Sequence, residues 1–155
     1  MQEPTDAESK CLVHYIKPGD IEHGGSASAQ IKAELSRLGV SAADARRAGI
    51  IAFEGEINLI VYSDGGGTIT VCVSEACIEI LFKDDGPGIE DIDLALTPGF
   101  STAPLWATDL GFGAGMGLIN MQMNADRFEI HSHLGEGTSI RCLLERREDD
   151  ASGNC

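Results

Sequence analysis

The spacing of apolar residues changes period near the middle of the chain, and that change predicts most of the elements. Cys11 to Ile16 reads as a short strand, closed by Lys17-Pro18-Gly19-Asp20 and a Gly24-Gly25 turn. From Ser26 to Leu38 the apolar residues Ile31, Leu35 and Leu38 recur at helical spacing, and Gly39 stands where a C-terminal cap belongs. Ser41-Ala42-Ala43-Asp44 has a capping-box pattern and opens a second helix through about Tyr62. Its expected core stripe is Ile50, Phe53, Ile57, Ile60 and Val61, and the run Asp64-Gly65-Gly66-Gly67 closes it. Beyond that run the period becomes two. Ile69, Val71 and Val73 alternate in one strand and Ile78, Ile80 and Phe82 in the next, joined by Ser74-Glu75-Ala76 as a hairpin turn. Asp84 continues the even-numbered face, so it leaves its strand on the side of the buried residues.

Residues 90–112 hold a short apolar and acidic helix, then Thr97-Pro98-Gly99-Phe100-Ser101-Thr102 and the only tryptophan, Trp106. A connection this long inside a compact domain predicts a lid, the competing reading being that Trp106 is simply core. A helix over about 117–126 follows, then strands Phe128 to Leu134 and Ser139 to Leu144 around the Gly135-Glu136-Gly137-Thr138 turn. The expected organisation is one domain over 10–145, with a flexible N-terminus over 1–9 and a disordered polar tail over 146–155. The expected fold is an α/β two-layer sandwich, a mixed and mostly antiparallel sheet covered on one face by three helices.

At 155 residues the chain is long enough to bury a self-sufficient core. Its five cysteines include no CxxC spacing and are odd in number, so neither a zinc site nor a disulfide framework is expected, and a reducing cytoplasm fits best. No apolar run approaches the ~18 residues of a membrane span, and the start lacks the features of a signal peptide, so a soluble protein is expected. The net charge of −14 argues against nucleic acid or an anionic membrane as partner. It leaves room for a nucleotide only if phosphates are met by backbone N–H groups, a helix end and a divalent cation, which makes Mg²⁺ nearly obligatory.

The stretch from Gly111 to Asn120 supplies such a cradle. Glycines at 111, 113, 115 and 117 precede a helix, so backbone N–H groups and a positive dipole end are open to an anion; the alternative is a flexible connection. Glu54 and Asn58 are four residues apart on one helix face, whereas Glu56 lies about 200° round from Glu54. Asn58 offers a neutral oxygen to Mg²⁺, and Glu54 can accept a proton from an attacking hydroxyl or orient a water; otherwise the pair is a solvated helix face. Asp84-Asp85-Gly86-Pro87-Gly88 is a tight turn or a base-reading site, in which Asp84 accepts an exocyclic amine while Gly86 and Gly88 admit the base to the backbone. Thr138 can add a hydroxyl there, although Gly137-Thr138 also suits a plain hairpin turn.

In order, Glu54-x-x-x-Asn58, Asp84-x-Gly86-x-Gly88, Gly113-x-Gly115-x-Gly117 and Gly137-Thr138 resemble the asparagine box and three glycine boxes of the GHKL ATP-binding fold of gyrase, histidine kinases and MutL. The resemblance covers about residues 10–145 and implies a Bergerat-type ATP site. Small size and close packing of the boxes are similar to the anti-sigma-factor serine/threonine kinases. That likeness implies Glu54 as general base, Asn58 as Mg²⁺ ligand, Asp84 as adenine reader, Gly113 to Gly117 as phosphate loop, and ATP and Mg²⁺ as cofactors. It further implies a small antagonist (anti-anti-sigma-like) protein as substrate, with a sigma factor as an optional second partner and a homodimer left open. Two positions depart from the pattern: Tyr62 stands where those kinases usually carry a histidine, and the glycine loop is closer to the histidine-kinase version. A non-catalytic ATP-controlled switch and a histidine-kinase-like domain acting in trans are the alternatives. The second is disfavoured because His14, His131 and His133 lie in predicted strands and His23 in a glycine turn, so none forms a phosphoacceptor helix.

Overall fold

A computed structural model describes residues 9–111 and 115–147. Five strands form one sheet in the order β1-β2-β3-β5-β4: β1 (Lys10–Ile16), β2 (Gly67–Val73), β3 (Cys77–Asp84), β4 (Arg127–His133) and β5 (Gly137–Glu145). Every pairing is antiparallel, so the expected mixed sheet is corrected to a purely antiparallel one. The reason is the return of the chain after β3. It runs through the lid and a helix, lays β4 at the far edge, and turns back by a hairpin so that β5 fills the gap beside β3.

Helices α1 (Ser26–Arg37), α2 (Ala42–Tyr62) and α5 (Gly117–Asn124) cover one face, and the short α3 (Ile92–Ala95) and α4 (Leu105–Asp109) lie in the expected lid. The α2 start is where the capping pattern places it: Ser41 Oγ accepts from the Asp44 N–H at 3.2 Å. The even-numbered β3 residues and the odd-numbered β2 residues face the helices. Ile69, Val71, Ile78 and Ile80 therefore join Ile31, Leu35, Ile51, Ala52, Leu59 and Met121 in the main core.

The α2 stripe is broader than the periodicity suggests and rotated from it. Ala48, Ile51, Ala52, Gly55 and Leu59 are buried, Ile50 is half-buried, and Phe53 is 38% exposed. Gly55 explains part of the rotation. A Cβ there would overlap the Phe82 ring, so this glycine, costly to helix propensity, lets the sheet approach α2.

Cys11 and Cys72 form a disulfide across β1 and β2, with Cα atoms 4.0 Å apart, which overturns the expectation of no disulfide. The two residues are 61 apart in sequence and meet only because the strand register sets them opposite each other. The compartment expectation drawn from cysteine spacing loses its basis with it. Cys142 is a free, buried thiol whose pKa burial pushes up to about 12, so it stays protonated and inert. Arg146 and Arg147, expected in the tail, are instead tied down. Arg146 donates to the Ser74 and Gly39 carbonyls, and the Arg147 N–H donates to Asp44 Oδ2 at 2.7 Å. Among the described residues no helix is long and apolar enough to cross a membrane.

Candidate functional site

The first turn of α5 lies on the Glu54 and Asn58 face of α2. A methyl group built on Gly117 would stand 3.0 Å from Glu54 Oε2 and 3.3 Å from Asn58 Oδ1. The first turn of α5 thus runs close against the ends of these two side chains. Asn120, one turn further on, donates from Nδ2 to Glu54 Oε1 at 3.1 Å. Among the described residues no side chain caps α5, so its positive dipole end is a place where an anion can be met. Of the loop before it, Gly113 lies outside the described residues. Gly115 has φ 77° and packs against the Phe100 carbonyl, and its own carbonyl accepts from the Gly99 N–H at 3.2 Å. The loop is thus pinned to the lid at 99–100.

Glu56 is removed from this site. It is 2% exposed, and its two oxygens accept from the Ala27 N–H at 3.2 Å and the Ser28 N–H at 3.0 Å. It caps α1 from a neighbouring helix, a role that its position on α2 alone does not reveal. The helical repeat separates the two glutamates, and the structure gives one to the α5 junction and the other to α1.

Asp84 stands at the end of β3, at the turn that leads out of the strand. Its Oδ1 accepts two backbone N–H groups, from Gly86 at 2.9 Å and Thr138 at 3.0 Å. Oδ2 has no protein partner among the described residues and remains free to accept. Thr138 Oγ1 shares a hydrogen bond with Ser132 Oγ at 2.8 Å, and the Ile89 N–H donates to Ser132 Oγ at 2.7 Å. Ser132, like Asn120, is a residue that sequence reasoning missed. Its place on the inward face of β4, opposite Thr138, is the signal that could have found it. The glycines of the Asp84 turn serve the chain itself. A Cβ on Gly88 would collide with the His133 carbonyl, and one on Gly86 would stand 3.2 Å from Ser63 Cα. A cleft of about 520 Å³ opens beside this turn, lined by Ile89 to Leu94 and Ser132.

The segment expected to be a lid rests on α2. Ala107 is fully buried with Ile57, Ile60 and Val61, and the Tyr62 hydroxyl meets Ser101 Oγ at 3.0 Å. Trp106, next to Ala107, is 40% exposed, so it is not a core tryptophan.

Few protein cations belong to the elements that carry these residues. Of the 11 lysines and arginines, only Lys83 falls between Arg47 and Arg127, and it is exposed on the sheet face away from the helices. Among the described residues no cluster of three or more His, Cys, Asp or Glu could cage a metal. A single neutral oxygen from Asn58 suits a hydrated Mg²⁺ held mainly through phosphate oxygens rather than a protein-caged ion.

Residues 43–148 match the family model described as histidine kinase-, DNA gyrase B-, and HSP90-like ATPase. The chain is 31% identical over 138 residues to Chemotaxis protein CheA of Klebsiella aerogenes, which covers 86% of this chain and 20% of that protein. It is 35% identical over 83 residues to an anti-sigma F factor of Clostridium acetobutylicum, 51% of this chain and 53% of that protein. To the serine/threonine-protein kinase RsbT of Bacillus subtilis it is 31% identical over 99 residues, covering 64% and 62%. The chain thus spans less than two thirds of the length of each of these three relatives. The mycobacterial sensor histidine kinase MprB superposes with a TM-score of 0.51 at 16% identity, covering 89% of this chain and 99% of that one, a likeness of fold alone. The match over 43–148, the antiparallel sheet under three helices, and the α5 junction on Glu54 and Asn58 agree: the chain belongs to the histidine kinase-, DNA gyrase B-, and HSP90-like ATPase family.

Proposed function

We propose that the protein is an ATP- and Mg²⁺-dependent serine/threonine kinase of the anti-sigma type that phosphorylates a small antagonist protein. The observation that carries this reading is the seat of the α5 N-terminus, uncapped among the described residues, on Glu54 and Asn58, where a methyl group built on Gly117 would stand 3.0 Å from Glu54 Oε2. A phosphate chain at that helix end comes within reach of one carboxylate base and one neutral oxygen ligand. Glu54 takes the proton of the attacking hydroxyl, and Asn58 holds the Mg²⁺ that would neutralise charge on the phosphate oxygens. Asp84 Oδ2 reads the adenine amine beside Thr138, while Gly113, Gly115 and Gly117 carry the phosphate loop. The anti-sigma F factor and RsbT matches support the choice of substrate class, an antagonist protein, with a sigma factor as a second partner.

Glu54→Gln tests the reading. Calorimetry should show Mg·ATP affinity within about twofold of wild type, while phosphoryl transfer falls by roughly a hundredfold or more. Equal turnover in both forms removes the base. Partner binding that answers to ATP without any transfer in the wild type makes the protein a switch instead.

A further inference from the structure

We propose that Asn120 is a positioning residue for Glu54, and that through it the seating of the glycine loop controls the base. The proposal rests on the reading of Glu54 as that base. An ionised carboxylate only accepts hydrogen bonds, so the amide end of Asn120 that faces Oε1 at 3.1 Å must be its NH₂ group. That bond occupies Oε1 and leaves Oε2, on the Gly117 side, as the oxygen available to a proton. Without Asn120, two terminal torsions of Glu54 are released and either oxygen can turn away.

Asn120 is itself held by the helix turn that follows the loop. Its N–H donates to the Met116 carbonyl at 2.9 Å, and its carbonyl accepts from Asn124 Nδ2 at 2.8 Å. Met116 lies between Gly115 and Gly117, and Gly115 is tied to Gly99 of the lid. Hydrogen bonds and the Gly115–Met116 peptide therefore connect Gly99, through the first turn of α5, to Glu54. Because a hydrogen bond weakens steeply beyond its ordinary length, a displacement of α5 by ~1 Å is enough to disconnect Glu54. Glu54 is correctly aimed when α5 is seated with Asn120 at 3.1 Å from Oε1, and a phosphate at the helix N-terminus would hold it there.

The assay is hydrolysis of Mg·ATP by the full chain without partner, so no protein substrate is needed. Asn120→Ala should lower kcat roughly tenfold while KM and the calorimetric Kd for Mg·ATP stay within about twofold. Asn120→Asp, which sets a carboxylate against a carboxylate, should fall as far as Glu54→Gln. Asn120→Gln, retaining a donor, should recover part of the rate. The double variant Glu54→Gln/Asn120→Ala should be no slower than Glu54→Gln alone, since both changes disable one unit. Multiplying losses, a defect confined to affinity, or an unchanged rate in Asn120→Ala overturns the proposal. If Glu54→Gln itself hydrolyses at the wild-type rate, the base reading fails and NMR decides. The Asn120 side-chain amide resonances should then still move in Glu54→Gln and on adding Mg·ATP to wild type; resonances indifferent to either refute the coupling.

Discussion

Asp84 divides its work between its two oxygens, and this division makes its role testable without damaging the fold. Oδ1 holds the turn through the Gly86 and Thr138 N–H groups, whereas Oδ2 is open. Asparagine can keep the first function, because its amide oxygen still accepts both N–H groups, but it puts a donor where Oδ2 was. We therefore expect Asp84→Asn to melt close to wild type and to lose at least about tenfold in ATP affinity, ~1.4 kcal/mol, because a donor then faces the adenine amine. Unchanged affinity by calorimetry removes the adenine assignment. At this scale, residue chemistry was legible in the sequence and hydrogen-bond partners were not. Glu54 and Asn58 could be paired from helical spacing. That Glu56 caps α1, that Asn120 meets Glu54 and that Ser132 meets Thr138 are contacts between residues 28 to 66 apart or across a hairpin, which only the packing of elements determines.

Elements with a local signal were the legible ones. α2 begins at its cap and ends at Tyr62, and β2 and β3 follow their alternation, because capping and period are short-range properties. Strand order, the Cys11–Cys72 bond and the anchoring of Arg146 and Arg147 depend on register and long connections, and carry no local mark. Two predictions belong here. Glu56→Ala leaves the Ala27 and Ser28 N–H groups without their acceptor in a buried place. It should cost about 1–3 kcal/mol in denaturant unfolding, with ATP affinity in the folded protein little changed. A loss below about 0.5 kcal/mol, the usual scatter of surface changes, would show that Glu56 is not a cap. The second concerns the junction of α2, β4 and the chain end. Burial works to raise the Asp126 pKa but is outweighed by the Glu145 N–H and by Arg47 and Arg147, which together hold it below the ordinary carboxylate value. Its folded pKa is thus lower than its unfolded value of ~3.9, so its stabilisation is complete above that pH and fades as pH falls through the folded pKa. Acid titration of wild type should therefore lose stability more steeply below ~pH 4 than Asp126→Asn, which should start lower at neutral pH. Parallel acid limbs would show that the network contributes nothing.

Over the whole molecule, charge is segregated, and this decides how a nucleotide can be held. Arg47 and Arg127 bracket a stretch that builds most of α2, β2, β3, the lid, the glycine loop and α5, yet contains Lys83 as its only lysine or arginine, on the outer sheet face. The same stretch carries Glu54, Asp84, Asp85, Glu90, Asp91, Asp93 and Asp109, within a chain of net charge −14. Two like charges about 4 Å apart repel by a few kcal/mol near a protein surface, so a triphosphate bound among such carboxylates would need a counter-charge. On the proposed reading the positive charge arrives with the nucleotide, as Mg²⁺ on its phosphates with Asn58 as protein ligand. Trp106 offers the readout. It is 40% exposed beside Ala107, whose burial against Ile57, Ile60 and Val61 fixes α4 to α2, so any shift of the lid changes the solvent around the indole. We expect Trp106 fluorescence to change on titration with Mg·ATP and to change less with Mg·ADP, because on the proposed reading the γ-phosphate engages the loop that the Gly99–Gly115 hydrogen bond joins to residues 90–111. With EDTA in place of Mg²⁺, the same titration should shift to at least about tenfold higher ATP concentration, while adenosine binding, followed by calorimetry, stays the same. Equal ATP affinity with and without metal would mean that another source of positive charge reaches the phosphates. A tryptophan signal indifferent to nucleotide, in protein that calorimetry shows to be saturated, would mean that residues 90–111 are a fixed wall of the site and not a lid.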